Sequence, residues 1–235
     1  MQKLKNSDII KRTQIFIGYD KKEHRAYEVC ANSLKRRSKI KVNKLFSEDI
    51  PGWYREKEMH QSTDFTNTRW AVPHLMNYTG IGIFVDCDFV FLEDPAELIA
   101  KYYDPTKAIM VCKHPRYTPN SVVKMDGVAQ HTMPRKNWAS LIIFNNEHAA
   151  VKRGLSWKEA NEHQPSRDLH QFKWLFDDDI GSLPLDWNCL DDYYHMEAPK
   201  AIHYTDGGPW FDDYQVTQYS DIWLEEEAYV KALNK

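Results

Sequence analysis

The apolar run Ile83-Phe84-Val85 passes without a break into Asp86-Cys87-Asp88, and no other stretch constrains the fold as much. Three large β-formers in succession read as a buried strand of a sheet covered by helices on both sides. Such a strand cannot carry two carboxylates through its interior, so it ends there and leaves the aspartates at its carboxyl edge. In open α/β sheets that edge is where ligands bind. Residues i and i+2 of an extended segment point to the same side, so both carboxylates can meet one hard cation. Mn2+ or Mg2+ suits such oxygen ligands and keeps positions free for phosphate oxygens.

Other segments supply the rest of the sheet. Residues 14–20 form an apolar run ending in Gly18-Tyr19-Asp20, a buried strand opening into a loop. Residues 23–38 have helical spacing, with Ala26, Val29, Cys30 and Leu34 on one side, and residues 41–46 give a second strand, closing a βαβ unit. The stretch 64–78 reads as largely helical, 95–99 as the start of a short helix, and 108–112 and 141–144 as buried strands. Residues 113–136 are Pro-rich and polar, a functional loop or irregular hairpin. Helical patterns flank Pro165, and residues 180–188 approach the last part of the sheet. The tail from Asp212 reads as a short helix packed by Trp223, Leu224 and Tyr229. Without a repeat, low-complexity tract or linker, the expectation is one α/β domain over 1–235, a mixed central sheet flanked by helices, with 212–235 as a helical tail.

Composition narrows the partners. A formal net charge of −3 gives no reason to expect nucleic acid, and Lys35-Arg36-Arg37 reads as a solvated helix face in preference to a phosphate-binding patch. Cys30, Cys87, Cys112 and Cys189 contain no CxxC pair, so reduced thiols and a cytoplasmic location are expected rather than a zinc site or disulfides. No run approaches the roughly 18 apolar residues of a membrane span, and the first residues do not form a signal peptide. The 8 tryptophans and 13 tyrosines suit sugar platforms and cores equally, so they decide neither way.

Three blocks taken together carry a resemblance: Thr63-Asp64-Phe65-Thr66-Asn67-Thr68-Arg69-Trp70-Ala71-Val72-Pro73, then Gly80-Ile81-Gly82-Ile83-Phe84-Val85-Asp86-Cys87-Asp88, then Asp94-Pro95-Ala96-Glu97-Leu98. Their order and spacing resemble the central block of GT-A glycosyltransferases, most closely the glycogenin and lipopolysaccharide-galactosyltransferase group (family 8-like). Residues 15–20 are similar to that group's first strand. Residues 138–145 resemble its "N-A-G-V-x-L" strand, Leu183-Pro184-Leu185-Asp186-Trp187-Asn188 its "L-P-x-x-[WF]-N" strand, and residues 202–210 its "H-x-x-G-x-x-K-P-W" segment. The likeness covers most of the chain.

The resemblance implies a Rossmann-like GT-A domain that binds a nucleotide sugar, UDP-glucose or UDP-galactose, and transfers the hexose to a glycan, lipid or protein acceptor with retention. It implies Asp86, Asp88 and His203 as ligands of Mn2+ or Mg2+. Gly18, Tyr19 and Asp20 would lie against uracil and ribose. Arg69 would bind near the ribose or pyrophosphate, or brace the acidic turn. Cys87, Ser140, Gly207 and Gly208 would line the donor, and Asp168 with Arg167 would stand at the sugar as the catalytic pair. Two departures stand out. Gly208 occupies the place of an expected lysine in a loop one residue shorter than usual, so Arg69, Arg167 or a residue of 113–136 would have to neutralise the pyrophosphate. Ser166-Arg167 replaces the "D-Q" that many relatives carry before this aspartate.

Blander readings compete at several positions. A lone histidine such as His203 is by default structural, and the other nine histidines are read that way. Asp126 and Asp168 suit sugar hydroxyls or caps, Ser140 a sugar contact or simple packing, and Trp210 a core or lid anchor in preference to a sugar platform. Asp177-Asp178-Asp179 reads as a solvated helix end, and Trp53, Tyr54 and His60 as an aromatic loop able to meet an acceptor. Asp86-Cys87-Asp88-Phe89-Val90 also fits the Asp-x-Asp-x-[TV] nucleophile string of haloacid-dehalogenase-type phosphatases, with Asp86 attacking phosphorus. Sugar nucleotidyltransferases share the fold class, but their Gly-rich, Arg-containing loop is absent near the first strand. A non-catalytic nucleotide-sugar or glycan binder is a further alternative.

Overall fold

In the computed structural model, which describes residues 6–58, 61–116, 123–124, 128–129, 134–163 and 165–233, α1 (Asn6–Arg12) leads into β1 (Thr13–Gly18), α2 (His24–Arg37) and β2 (Lys41–Leu45). α3 (Val72–Leu75), β3 (Ile81–Val85), β4 (Phe89–Phe91), α4 (Pro95–Tyr102) and β5 (Ile109–Cys112) follow. Next come β6 (Val123–Lys124), β7 (Val128–Ala129), β8 (Leu141–Asn145), α5 (Ala149–Gly154) and α6 (Ser166–His170). β9 (Ile180–Leu183), β10 (Cys189–Leu190), β11 (Ala201–His203) and α7 (Ser220–Leu233) complete the order.

Six strands form the central sheet in the order β2-β1-β3-β8-β5-β9. β1 is parallel to β2 and β3, β9 is parallel to β5, and β8 alone runs antiparallel to both its neighbours. β3, β5 and β8 are buried along their whole length, which is why they read as unbroken apolar runs. A smaller sheet, β10-β11-β4, stands at the carboxyl edge of β3. Gly18 ends β1 where a Cβ would lie 2.5 Å from the Phe65 side chain, so the segment 61–71 can close over the strand end only against a glycine.

Most of the expected elements are present, and three expectations need correction. Residues 64–78 are turns and a 3-10 turn at Thr68–Ala71 before the four-residue α3, in place of a long helix. The Thr66 and Thr68 hydroxyls donate to the carbonyls of Thr63 and Phe65, a local bonding that competes with helix propagation. The basic end of α2 is also not a solvated face. Arg36 and Arg37 reach Glu226 at 2.9 and 2.6 Å, and Arg25 reaches Glu227. Finally, α7 docks through Trp223 and these glutamates, which share one helical face at i, i+3 and i+4, whereas Leu224 lies exposed and Tyr229, partly exposed, packs on the Arg36 guanidinium 3.5 Å from its ring centroid. Asp177-Asp178-Asp179 forms an exposed 3-10 turn, and the four cysteines are free and buried.

Candidate functional site

Strand register gathers the acidic pair and its surroundings. Ile17 pairs with Val85, and Val85 with Leu141, so the ends of β1 and β3 and the start of β8 meet at one edge. The Asp86 amide donates to the Ser140 carbonyl at 2.9 Å and fixes the acidic turn there. Asp88 then opens β4, and pairing of β4 with β11 sets His203 opposite Phe89. The Tyr204 amide donates to the Asp88 carbonyl at 3.0 Å, and the His203 ring stacks on Phe89 with centroids 4.4 Å apart.

One ligand atom from each of Asp86, Asp88 and His203 lies within 4.8 Å of the other two. Asp88 and His203 are 6% and 2% exposed. His203 Nε2 stands 3.4 Å from Asp88 Oδ1, longer than a normal hydrogen bond, and that oxygen is buried with no hydrogen-bond partner. Leaving a carboxylate oxygen so placed costs free energy, and a cation between the three groups would remove that cost. Two carboxylates and an imidazole form a donor set suited to a divalent ion such as Mn2+, with room for ligand oxygens. The residues present therefore fit the cation that the sequence led us to expect.

Arg69 braces this arrangement from behind. It is 5% exposed, pairs with Asp86 Oδ1 at 3.0 Å, and donates to the carbonyls of Ala139 at 2.6 Å and Thr66 at 3.0 Å. Its carbon centre lies 4.6 Å from the Phe84 ring centroid. Burial pulls the guanidinium pKa down, against the upward pull of the Asp86 and Asp88 charges. The arginine thus bridges three segments that arrive at the site from distant parts of the chain.

The remaining expected residues fall in different places. Cys87 has its side chain fully buried, with the thiol 3.8 Å from a Glu23 carboxylate oxygen, so its backbone is what faces the edge. Burial, with Glu23 beside it, pushes that thiol well up in pKa. Asp20 accepts from the Lys22 and Asp64 amides, both at 2.9 Å, and so anchors the loop after β1. Tyr19 packs edge-on against Tyr27 and Phe46. Gly207 has a φ of +125°, and a Cβ on Gly208 would lie 2.2 Å from the Trp210 ring, so the chain shape alone requires both glycines. Trp210 itself is buried among Tyr204, Phe211 and Trp223.

Asp168 pairs with Lys173 at 2.6 Å on the short helix α6, next to Arg167. That helix approaches the Arg69 side of the site through His170, whose half-buried ring lies edge-on to Trp70. Burial, then the nearby Arg69 charge, lowers the His170 pKa to about 3. Trp53 packs against Trp157 and Tyr54 is exposed, its hydroxyl bonded to Glu162. His60 and Asp126 lie outside the described residues.

Sequence reasoning gave no role to Asn188, Asn137 or His114. Asn188 is fully buried, bonded to His203 on one side and Ser140 on the other. Its sequence signals are its place at the end of the 183–188 motif and an amide set between Trp187 and Cys189. His114, at the end of β5, is 3% exposed and stacks on Tyr194. Burial, with His203 nearby, lowers its pKa to about 3.

No protein-family model matches the chain. Several solved glycosyltransferases share its fold. WbbM, a bifunctional glycosyltransferase, aligns over 92% of this chain and 49% of its own at 17% identity, with a TM-score of 0.61. GlyE of Streptococcus pneumoniae TIGR4 aligns over 92% of this chain and 60% of its own at 16% identity, with a TM-score of 0.55. The galactosyltransferase LgtC, solved with donor and acceptor sugar analogs, aligns over 92% and 95% at 13% identity, with a TM-score of 0.56. The chain thus spans about half the length of WbbM and about three-fifths of GlyE. The architecture is the GT-A fold, which removes the basis for the phosphatase reading. Protein CDI of Arabidopsis thaliana is 41% identical over 234 residues, covering 94% of this chain and 89% of that protein. At that identity and coverage, the chain belongs to the family of Protein CDI, on a GT-A fold.

Proposed function

We propose that this protein is a glycosyltransferase that takes a hexose from a UDP-sugar, with a divalent cation, Mn2+ or Mg2+, held by Asp86, Asp88 and His203. The observation that carries the reading is the buried Asp88 Oδ1 facing His203 Nε2 at 3.4 Å, at the sheet edge where ligands bind in this architecture. The bound cation would supply charge neutralisation to the departing nucleoside diphosphate. Arg69 holds Asp86 in place, and the loop after β1 offers Gly18 and Tyr19 to the nucleoside. Gly207 and Gly208 shape the turn after His203, which is the candidate cover for the phosphates. Gly208 brings no charge and Arg69 is committed to Asp86, so neutralisation of the pyrophosphate rests mainly on the cation site.

UDP-glucose and UDP-galactose are the donors to test first, with a glycan, lipid or protein as acceptor and retention as the expected outcome. Asp168 is the candidate contact to donor-sugar hydroxyls, with Arg167 beside it. Ser140 is bonded within the site's own frame and supports the ligands from behind. The four free, buried thiols support a reducing compartment, the cytoplasm. A second reading, donor binding without turnover, is favoured by Gly208 alone. Incubation with each UDP-sugar and Mn2+, following UDP release and label transfer to an acceptor panel, separates the two. Release that stops with EDTA and in Asp88→Asn supports the transferase. Tight binding with no release supports the binder, and no binding of any nucleotide sugar refutes both.

A further inference from the structure

We propose that Asn188 is a positioning residue that holds His203 as the Nδ1–H tautomer, so that the Nε2 lone pair faces Asp86 and Asp88 and sets the cation affinity of the site. This rests on the metal site proposed above and adds a residue to it. The argument is a chain of hydrogen bonds whose direction is fixed at its far end. The Ser140 hydroxyl donates to the Asn137 carbonyl at 2.7 Å, because a carbonyl can only accept. With its proton spent there, Ser140 Oγ accepts from Asn188 Nδ2 at 2.9 Å, and the same amide group lies 3.4 Å from the Asn137 carbonyl. The amide oxygen of Asn188 therefore faces the other way, 3.0 Å from His203 Nδ1. An oxygen there demands a donor, so in the neutral imidazole Nδ1 carries the proton and Nε2 is left free.

The opposite amide orientation would take the Asn188 donor away from the Asn137 carbonyl, set an amide oxygen against Ser140 Oγ whose proton is already used, and put an N–H against His203 Nδ1. It would also place a proton on Nε2, which would then point toward Asp88 Oδ1 from 3.4 Å without forming a good bond. Asn188 is 0% exposed and His203 2%, so bulk water does not compete for these positions, and the buried His114 ring is a further group against the Asn188 amide. The Phe89 ring stacked on His203 fixes the plane of the imidazole, and Asn188 fixes which nitrogen is free. Asn137 is itself held at φ 61°, with its side chain donating to Thr205 at 3.0 Å. The far end of the chain is therefore rigid.

The test uses long-range 15N NMR of the histidines in the metal-free protein, together with Mn2+ titration by EPR. Wild type should show His203 protonated at Nδ1. Asn188→Leu should lose that preference and weaken Mn2+ binding by about 10–100-fold. Asn188→Asp keeps an acceptor at the same place and should retain the tautomer. Ser140→Ala frees the amide to turn and should give a mixed tautomer even if the leucine variant does not fold. An unchanged His203 tautomer in Ser140→Ala and in folded Asn188→Leu, with Mn2+ affinity within twofold of wild type, would overturn the inference. If wild type shows the Nδ1–H form yet binds no Mn2+, the metal reading fails and the affinity role of Asn188 falls with it.

Discussion

Replacing Arg69 with methionine tests whether the acidic turn is held from within. The substitution keeps much of the side-chain volume but removes the partner of Asp86 and the donors to the Ala139 and Thr66 carbonyls. Breaking a buried ion pair costs about 3–5 kcal/mol. Asp86 retains 16% side-chain exposure, which places its share near the bottom of that range. Each orphaned carbonyl adds about 1 kcal/mol, not fully additive, so the total is about 4 kcal/mol. Against a whole-protein stability of about 5–15 kcal/mol this is a large fraction. For 235 residues it corresponds to a fall in Tm of about 8–16 °C. Urea denaturation in EDTA, with no nucleotide present, reads this directly. Arg69→Lys should recover less than half, because an ammonium cannot serve three acceptors in a planar fork. A loss below about 1 kcal/mol would refute the bracing argument and return Arg69 to the pool of pyrophosphate ligands.

Two other consequences concern stability. His170 has its folded-state pKa depressed to about 3, so as pH falls below about 6.5 the unfolded chain takes up a proton that the folded one refuses. Its contribution is therefore complete above about pH 6.5 and is lost at about 1.4 kcal/mol per pH unit on acidification. Denaturation at pH 7 and pH 5 should show a steeper loss in wild type than in His170→Asn, and equal slopes would contradict the reasoning. The variant is needed because Asp191, raised to about 6 by burial, tilts stability the other way between about pH 4 and 6. Glu226→Ala removes the partner of Arg36 and Arg37, both of which can turn to solvent, and should cost about 2 kcal/mol. Limited proteolysis of α7 should rise in parallel, and unchanged proteolysis would contradict its anchoring role.

The sequence exposed those parts of the fold that depend on local patterning. β1, β3, β5 and β8 are apolar runs ending at polar punctuation, and Asp86 and Asp88 stand out because two charges follow a buried strand directly. Pairing order was not legible in this way: nothing in Leu141–Asn145 reveals that the strand inserts antiparallel between β3 and β5. The segment 64–78 misled because its apolar spacing suits a helix, while Arg69 is drawn to Asp86 and the Ala139 carbonyl and its threonines close local turns on nearby carbonyls. Glu226 and Glu227 carried no sequence signal of their roles, since their arginine partners lie 189 to 202 positions earlier in the chain. Asn188 was seen as part of a motif but not as a support for His203, because that role exists only once β10 and β11 lie side by side.

The central claim is that Asp86, Asp88 and His203 hold a divalent cation that receives a nucleoside diphosphate. Titration calorimetry of UDP into the wild-type protein tests it most directly, run with Mn2+, with EDTA, and with Mn2+ on Asp88→Asn. The account predicts UDP binding with Mn2+ that weakens at least tenfold in EDTA and in the variant. UDP binding of equal strength in all three conditions, or no binding in any, would contradict it.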